Sequence, residues 1–152
     1  MKKYLLVGIL FISIGIGLSL LLDSFLRITI FDLYRWSTND KIVFLGKGFH
    51  LFPSPTFILS FTFSIMLLGF AIINQKLGRI AMNCILYLSI FSIALISISA
   101  LDANRLVVSC TACQDGIRRI NHNSINYGVI LGISSFLASI PSIVNLIKRV
   151  KN

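Results

Sequence analysis

"TFILSFTFSIMLLGFAIINQKLGRIAMNCILYLSIFSIALISISAL", residues 56–101, decides the fold of this chain. Two apolar runs flank the short polar segment NQKLGR at residues 74–79. At about 1.5 Å of rise per residue, each run forms a helix of roughly 27 to 33 Å, which matches a hydrocarbon core of about 30 Å. The stretch therefore predicts two antiparallel transmembrane helices joined by a tight turn.

Two further apolar runs flank this helical pair. The four runs cover about residues 4–22, 56–73, 80–101 and 127–147, and none contains Asp, Glu, Lys, Arg or His. Of the 152 residues, 12% are charged, whereas soluble domains carry about 25%. The composition predicts an all-α membrane protein in which residues 1–152 form one four-transmembrane-helix bundle. The first run is longer than the ~7–15 apolar residues of a signal peptide, so we expect it to remain as the first span.

Charge near the ends of the spans predicts the orientation. With the N-terminus inside, the cytoplasmic segments hold seven Lys and Arg residues and no acid, a net charge of +7. The opposite side holds seven bases and five aspartates, or 7 − 5 = +2. Basic residues favour the cytoplasmic side. The pattern predicts an N-in/C-in topology with two external loops, at about residues 23–55 and 102–126.

The first external loop contains two short apolar runs, Ile42–Leu45 and Phe49–Phe52, separated by a Gly-Lys-Gly segment. Short β-branched and aromatic runs on either side of glycine are typical of a β-hairpin, so we predict a small hairpin here. The preceding residues 25–36 mix apolar and charged side chains. They are expected either to extend the first helix or to lie along the membrane interface.

The external loops also carry the residues that we expect to meet a partner. Aromatic and basic side chains are common in binding surfaces. The candidates in the two loops are Tyr34, Arg35, Trp36, Lys47, Phe49, His50, Arg118 and Arg119.

A second set of residues is expected to allow close packing between helices. In lipid, helices associate through small residues that let their backbones approach. Small side chains recur at helical spacing within the first, second and fourth spans. The packing candidates are Gly15, Gly17, Ser60, Ser64, Gly128 and Gly132.

Cys110 and Cys113 form the sequence CTAC in the second external loop. An oxidising compartment allows a disulfide between them, and this is the favoured interpretation. A redox-active thiol pair is an alternative, because a C-x-x-C motif can poise one thiol for exchange. A metal site with His122 is a weaker alternative, since its spacing is not that of a usual zinc site. Two free thiols complete the choices.

These features favour a protein that acts by binding and not by catalysis. Ion-coupled transporters need ionisable groups within the membrane, and no such group lies in the four runs. We expect no cofactor, metal or nucleic acid, and a membrane or periplasmic protein as the partner. The alternative is a membrane thiol-disulfide oxidoreductase that uses Cys110 and Cys113.

In size and layout the chain resembles bacteriocin immunity and phage superinfection-exclusion proteins, a likeness of architecture. An accessory subunit of a membrane complex fits the same features. Frequent isoleucine and asparagine favour a bacterial, plasmid or phage origin, and hence the bacterial inner membrane.

Overall fold

The computed structural model describes residues 2–39, 42–45, 53–73, 75–108, 118–121 and 125–151. Within these residues the chain forms four helices and two short strands. In chain order they are α1 (Lys2–Thr38), β1 (Ile42–Leu45), α2 (Pro55–Ile72), α3 (Leu77–Val108), β2 (Arg118–Asn121) and α4 (Tyr127–Lys151). All four helices are long and apolar enough to cross a membrane. The prediction of an all-α bundle with four membrane-length helices is confirmed.

The helices pack as a four-membered ring. α1 contacts α2 and α3, and α4 contacts the same two helices from the other side. We call the end at which α1 and α3 terminate the sheet end, because β1 and β2 follow those two helices. The opposite end, where α2 passes into α3, is the turn end. The orientation of these two ends relative to the cytoplasm stays a prediction.

α1 and α3 extend well beyond a single membrane crossing. α1 has 37 residues and α3 has 32, so they measure about 55 Å and about 48 Å at the usual helical rise. A hydrocarbon core of about 30 Å accommodates only part of each. The residues after Leu22 therefore continue the first helix, one of the two outcomes that the sequence left open. α1 ends at Thr38, and the next residue, Asn39, has a φ of 49°, a left-handed conformation that stops the helix.

The strand predicted at Ile42–Leu45 is present as β1, but its partner comes from the other long connection. β1 pairs in parallel with β2, with Ile42 opposite Arg118 and Leu45 opposite Asn121. The second strand of the predicted hairpin, Phe49–Phe52, lies outside the described residues. Hairpin reasoning considers only neighbours along the chain, whereas α1 and α3 end side by side and bring two distant segments together.

Small residues allow the helices to approach closely. A Cβ added at Gly15 would lie 2.8 Å from the Cα of Thr62, so α1 and α2 nearly touch there. Gly128 lies directly against the Ser54 hydroxyl, and a Cβ at Gly132 would lie 3.1 Å from Ser60 Oγ. These three glycines lie where the sequence predicted helix contacts.

The remaining packing candidates differ in their surroundings. Ser64 is buried, and its hydroxyl donates to the Ser135 carbonyl oxygen at 2.8 Å, which joins α2 to α4. Gly17, in contrast, has nothing within 4 Å of an added Cβ. Gly17 therefore faces outward from α1. It lies two residues after Gly15 and so on nearly the opposite side of the helix.

Candidate functional site

An ion pair that is largely shielded from solvent holds the base of the sheet end. Arg27 Nε donates to Asp23 Oδ2 at 2.7 Å and Nη2 to Oδ1 at 3.3 Å, one turn apart on α1. Only 12% of the Arg27 side chain and 6% of the Asp23 side chain are exposed. Two parallel hydrogen bonds of this kind fix the guanidinium plane, and the pair is electrically neutral as a unit.

This ion pair also contacts the first residues of two other helices. The guanidinium carbon of Arg27 lies 5.4 Å from the centre of the Tyr127 ring at the start of α4, within the range of a cation–π contact. The Ser54 amide, just before α2, donates to Asp23 Oδ1 at 3.4 Å. One pair on α1 therefore fixes where α2 and α4 begin.

A second polar contact joins α1 and α3 near their ends. Tyr34 is fully buried, and its hydroxyl donates to the Asp102 carboxylate on α3. The ring of Phe44 on β1 lies 4.5 Å from that of Phe31 and 6.4 Å from that of Tyr34, measured between centroids. The ends of α1 and α3 are thereby braced against each other, and β1 is packed onto α1.

The two strands present one face outward. Side chains alternate along a strand, and residues opposite each other in a parallel pair point to the same side. Phe44 points toward α1, so Val43 and Leu45 point away, and they are 42% and 49% exposed. Their partners across the pair, Arg119 and Asn121, are also exposed. We call these four residues the sheet face.

The tip of α1 forms a second exposed feature. Asp32, Arg35, Trp36 and Asn39 line an open depression of about 400 Å³. Trp36 is 72% exposed, an unusual degree for so large an aromatic side chain. Together with the sheet face, this tip forms what we call the outer surface.

The structure separates the candidate binding residues into three groups. Arg35, Trp36 and Arg119 are exposed on the outer surface, and Arg118 lies beside Arg119 on β2. Tyr34 is in the core, where it braces α1 against α3. The other binding candidates, Lys47, Phe49 and His50, lie outside the described residues, as do the cysteine pair Cys110 and Cys113 and the alternative metal ligand His122.

Sequence reasoning missed the residues that build this end of the molecule. Asp23 and Arg27 are four residues apart, the spacing at which opposite charges meet on a helix, and this signal was available once the helix was extended past Leu22. Asp102 and Tyr127 carry no comparable local signal. Their partners lie on other helices, so only the packing of the bundle reveals them.

Side chains that could ligate a metal ion are scattered in the described part of the chain. Among these residues no group of three or more His, Cys, Asp or Glu side chains could hold a metal ion, and Cys84 is a free thiol. The chain matches no family model, no curated protein and no solved structure. Its function therefore has to be inferred from the surface that it presents.

Proposed function

We propose that the protein is a multi-pass inner-membrane protein that acts by binding another protein at its sheet end. The observation that supports this most directly is the pairing of β1 with β2. It joins the two long connections of the chain into one surface, above a pair of helices that are longer than the bilayer requires. A membrane anchor alone needs neither the overhang nor the strand pair.

The proposed orientation places the sheet end in the periplasm. Lys76 and Arg79 lie at the turn end, and both are exposed. The two chain termini lie at the same end and carry further basic residues without an acid. Because basic residues near the ends of spans favour the cytoplasmic side, this distribution supports an N-in/C-in arrangement.

The outer surface has the composition and rigidity that tight binding requires. Tryptophan and arginine are the residues most enriched among those that dominate interface energies. Trp36 and Arg35 are adjacent on the last turns of α1, and the contact of Tyr34 with Asp102 holds this helix end in place. A surface that is already ordered loses less conformational entropy on binding.

The biological role that fits best is protection or assembly at the membrane. A small bundle with an outward binding surface is suited to intercepting a membrane or periplasmic protein, as immunity and superinfection-exclusion proteins do. An accessory subunit of a larger membrane complex would use the same surface. In both cases the partner is a protein and the bundle itself performs no reaction.

The orientation predicts a labelling pattern for two single-cysteine variants. Both start from a chain whose three native cysteines are serine, with Val43→Cys on β1 and Leu77→Cys at the turn end. Both positions are well exposed, at 42% and 82%. A membrane-impermeant maleimide applied to spheroplasts should label Val43→Cys at once and Leu77→Cys only after permeabilisation. The opposite pattern would place the sheet end in the cytosol and exclude the proposal.

The binding role predicts a large effect of Trp36→Ala. A photoreactive amino acid at Asn39, beside Trp36, should crosslink a discrete partner in native membranes. Loss of an interface hot spot costs about 2 kcal/mol or more of binding free energy. When expression of the protein is low enough to limit complex formation, Trp36→Ala should therefore lower the yield of crosslinked partner by roughly thirtyfold. The matched control is Leu77→Ala, which removes an equally exposed side chain at the turn end and should change nothing.

Two outcomes of this crosslinking would contradict the proposal. One is the same yield from Trp36→Ala and Leu77→Ala. The other is crosslinking that depends on Cys110 and Cys113, because a binding role predicts full capture by the Cys110→Ser/Cys113→Ser variant. Dependence on the thiols would favour the oxidoreductase alternative instead.

A further inference from the structure

The sheet face departs from the usual pattern of an exposed strand pair. Parallel strands are normally covered on both faces, whereas a face open to water is common in antiparallel sheets. In β1 the outward residues Val43 and Leu45 are apolar like the inward Phe44, and both are more than two-fifths exposed. Exposing these two apolar side chains to water costs free energy and brings no packing contact in return. The pattern is that of a surface that another molecule covers.

A basic side chain lies beside this apolar strip. Arg119 lies directly opposite Val43, and adjacent strands are about 4.8 Å apart, so its side chain rises beside that of Val43. Arg105 is exposed on the last turn of α3, and Arg35 is exposed on the last turn of α1. A partner that covers Val43 therefore meets the Arg119 guanidinium, and the other two exposed arginines add positive charge to the same end of the bundle.

Two of the aspartates at the sheet end make contacts within the bundle. Asp23 is buried against Arg27, and Asp102 accepts the hydroxyl of Tyr34. Among the described side chains of the sheet end, three arginines are exposed and Asp32 is the one exposed acid. Two of the five external aspartates thus make contacts within the bundle, as does Arg27, so the sequence count for the remaining external groups is 6 − 3 = +3.

We propose that the sheet face binds an acidic segment of a protein, one in which carboxylates alternate with apolar side chains. This inference rests on the proposed function and specifies the chemistry of the partner. The apolar residues of the segment cover Val43 and Leu45, and a neighbouring carboxylate accepts hydrogen bonds from the Arg119 guanidinium. Arginine suits this role because its planar fork matches both oxygens of a carboxylate.

Two synthetic peptides test the inference without knowledge of the natural partner. One alternates valine with glutamate and the other alternates valine with lysine, so that their apolar content is equal. Each is titrated by fluorescence anisotropy against the full chain in phosphatidylcholine nanodiscs, with empty nanodiscs as the blank. The glutamate peptide should bind, and its affinity should fall as salt rises, because exposed charge pairs are screened. The lysine peptide should not bind.

Variants locate the binding on the sheet face. Arg119→Glu should lower the affinity for the glutamate peptide about fivefold or more, since it replaces attraction by repulsion at an exposed pair. Arg119→Gln should give a smaller loss in the same direction and keeps the inference testable if charge reversal disturbs folding. The control is Arg79→Glu, the same change at the turn end, which should leave the affinity unchanged.

Three results would overturn the inference: equal binding of both peptides, equal effects of the changes at positions 119 and 79, or loss of peptide binding when phosphatidylglycerol is added. The last result would mean that the face lies on an anionic bilayer.

Failure of this inference is distinct from failure of the proposed function. If the partner crosslinked from the tip of α1 is lost in Trp36→Ala but retained in Arg119→Glu, a protein is bound while the sheet face plays no part.

Discussion

Replacing Arg27 by Gln is expected to lower the stability of the bundle by about 3–5 kcal/mol, because it leaves the buried Asp23 carboxylate without its counter-charge. The pair is almost fully shielded, with the Asp23 side chain only 6% exposed. The same change removes the cation over the Tyr127 ring and loosens the start of α4. Reversible unfolding in mixed detergent micelles measures the loss.

A double variant separates charge from packing in this experiment. Asp23→Asn combined with Arg27→Gln retains two polar side chains of similar size and leaves no isolated charge. Replacing both members of a buried pair costs far less than removing one, so the double variant should regain most of the stability. If Arg27→Gln alone unfolds like the unaltered chain, the ion pair does not hold this end of the bundle together.

Introducing leucine at position 15 should destabilise the bundle, whereas introducing it at position 17 should not. A Cβ at Gly15 already lies 2.8 Å from the Thr62 backbone, so a full side chain must push α1 away from α2. Overpacking of this kind costs about 1–3 kcal/mol. At Gly17 an added Cβ meets nothing within 4 Å.

The variants Gly15→Leu and Gly17→Leu form a matched comparison, because both replace glycine by leucine within the same two turns of α1. The gain in helix propensity, about 1 kcal/mol, is common to both and cancels. The difference between their unfolding free energies in mixed micelles therefore isolates the α1–α2 contact. Equal stabilities would show that the two helices do not approach at Gly15.

The sequence predicts the membrane-length helices well because the signal is local. The hydropathy of each apolar run depends only on its own residues. α4 begins at the predicted Tyr127, and α2 begins at Pro55, one residue before the predicted start. α1 and α3 continue beyond the predicted span ends at Leu22 and Leu101, and for α1 this continuation was one of the two predicted outcomes. Hydropathy falls where the charged residues begin, but a helix with one apolar side continues when a neighbouring helix covers that side.

The candidate surface was predicted only in part, because contacts between distant residues decide which side chains are exposed. Trp36 and Arg119 are exposed as their residue types suggest. Tyr34 was assigned to the same surface but lies in the core, because Asp102 on another helix accepts its hydroxyl. The strand at Ile42–Leu45 has a local signal, while its partner, Arg118–Asn121, is rich in polar residues and gains its conformation from the pairing itself.

The pairing of β1 with β2 has a consequence for biosynthesis. Ile42 and Arg118 are 118 − 42 = 76 residues apart, and two helices of membrane-spanning length lie between them. In the proposed topology, the strands can meet only after α2 and α3 have been inserted and have returned the chain to the same side of the bilayer. A nascent or truncated chain that stops earlier cannot display the joined surface, so recognition at this end would also report that insertion has been completed.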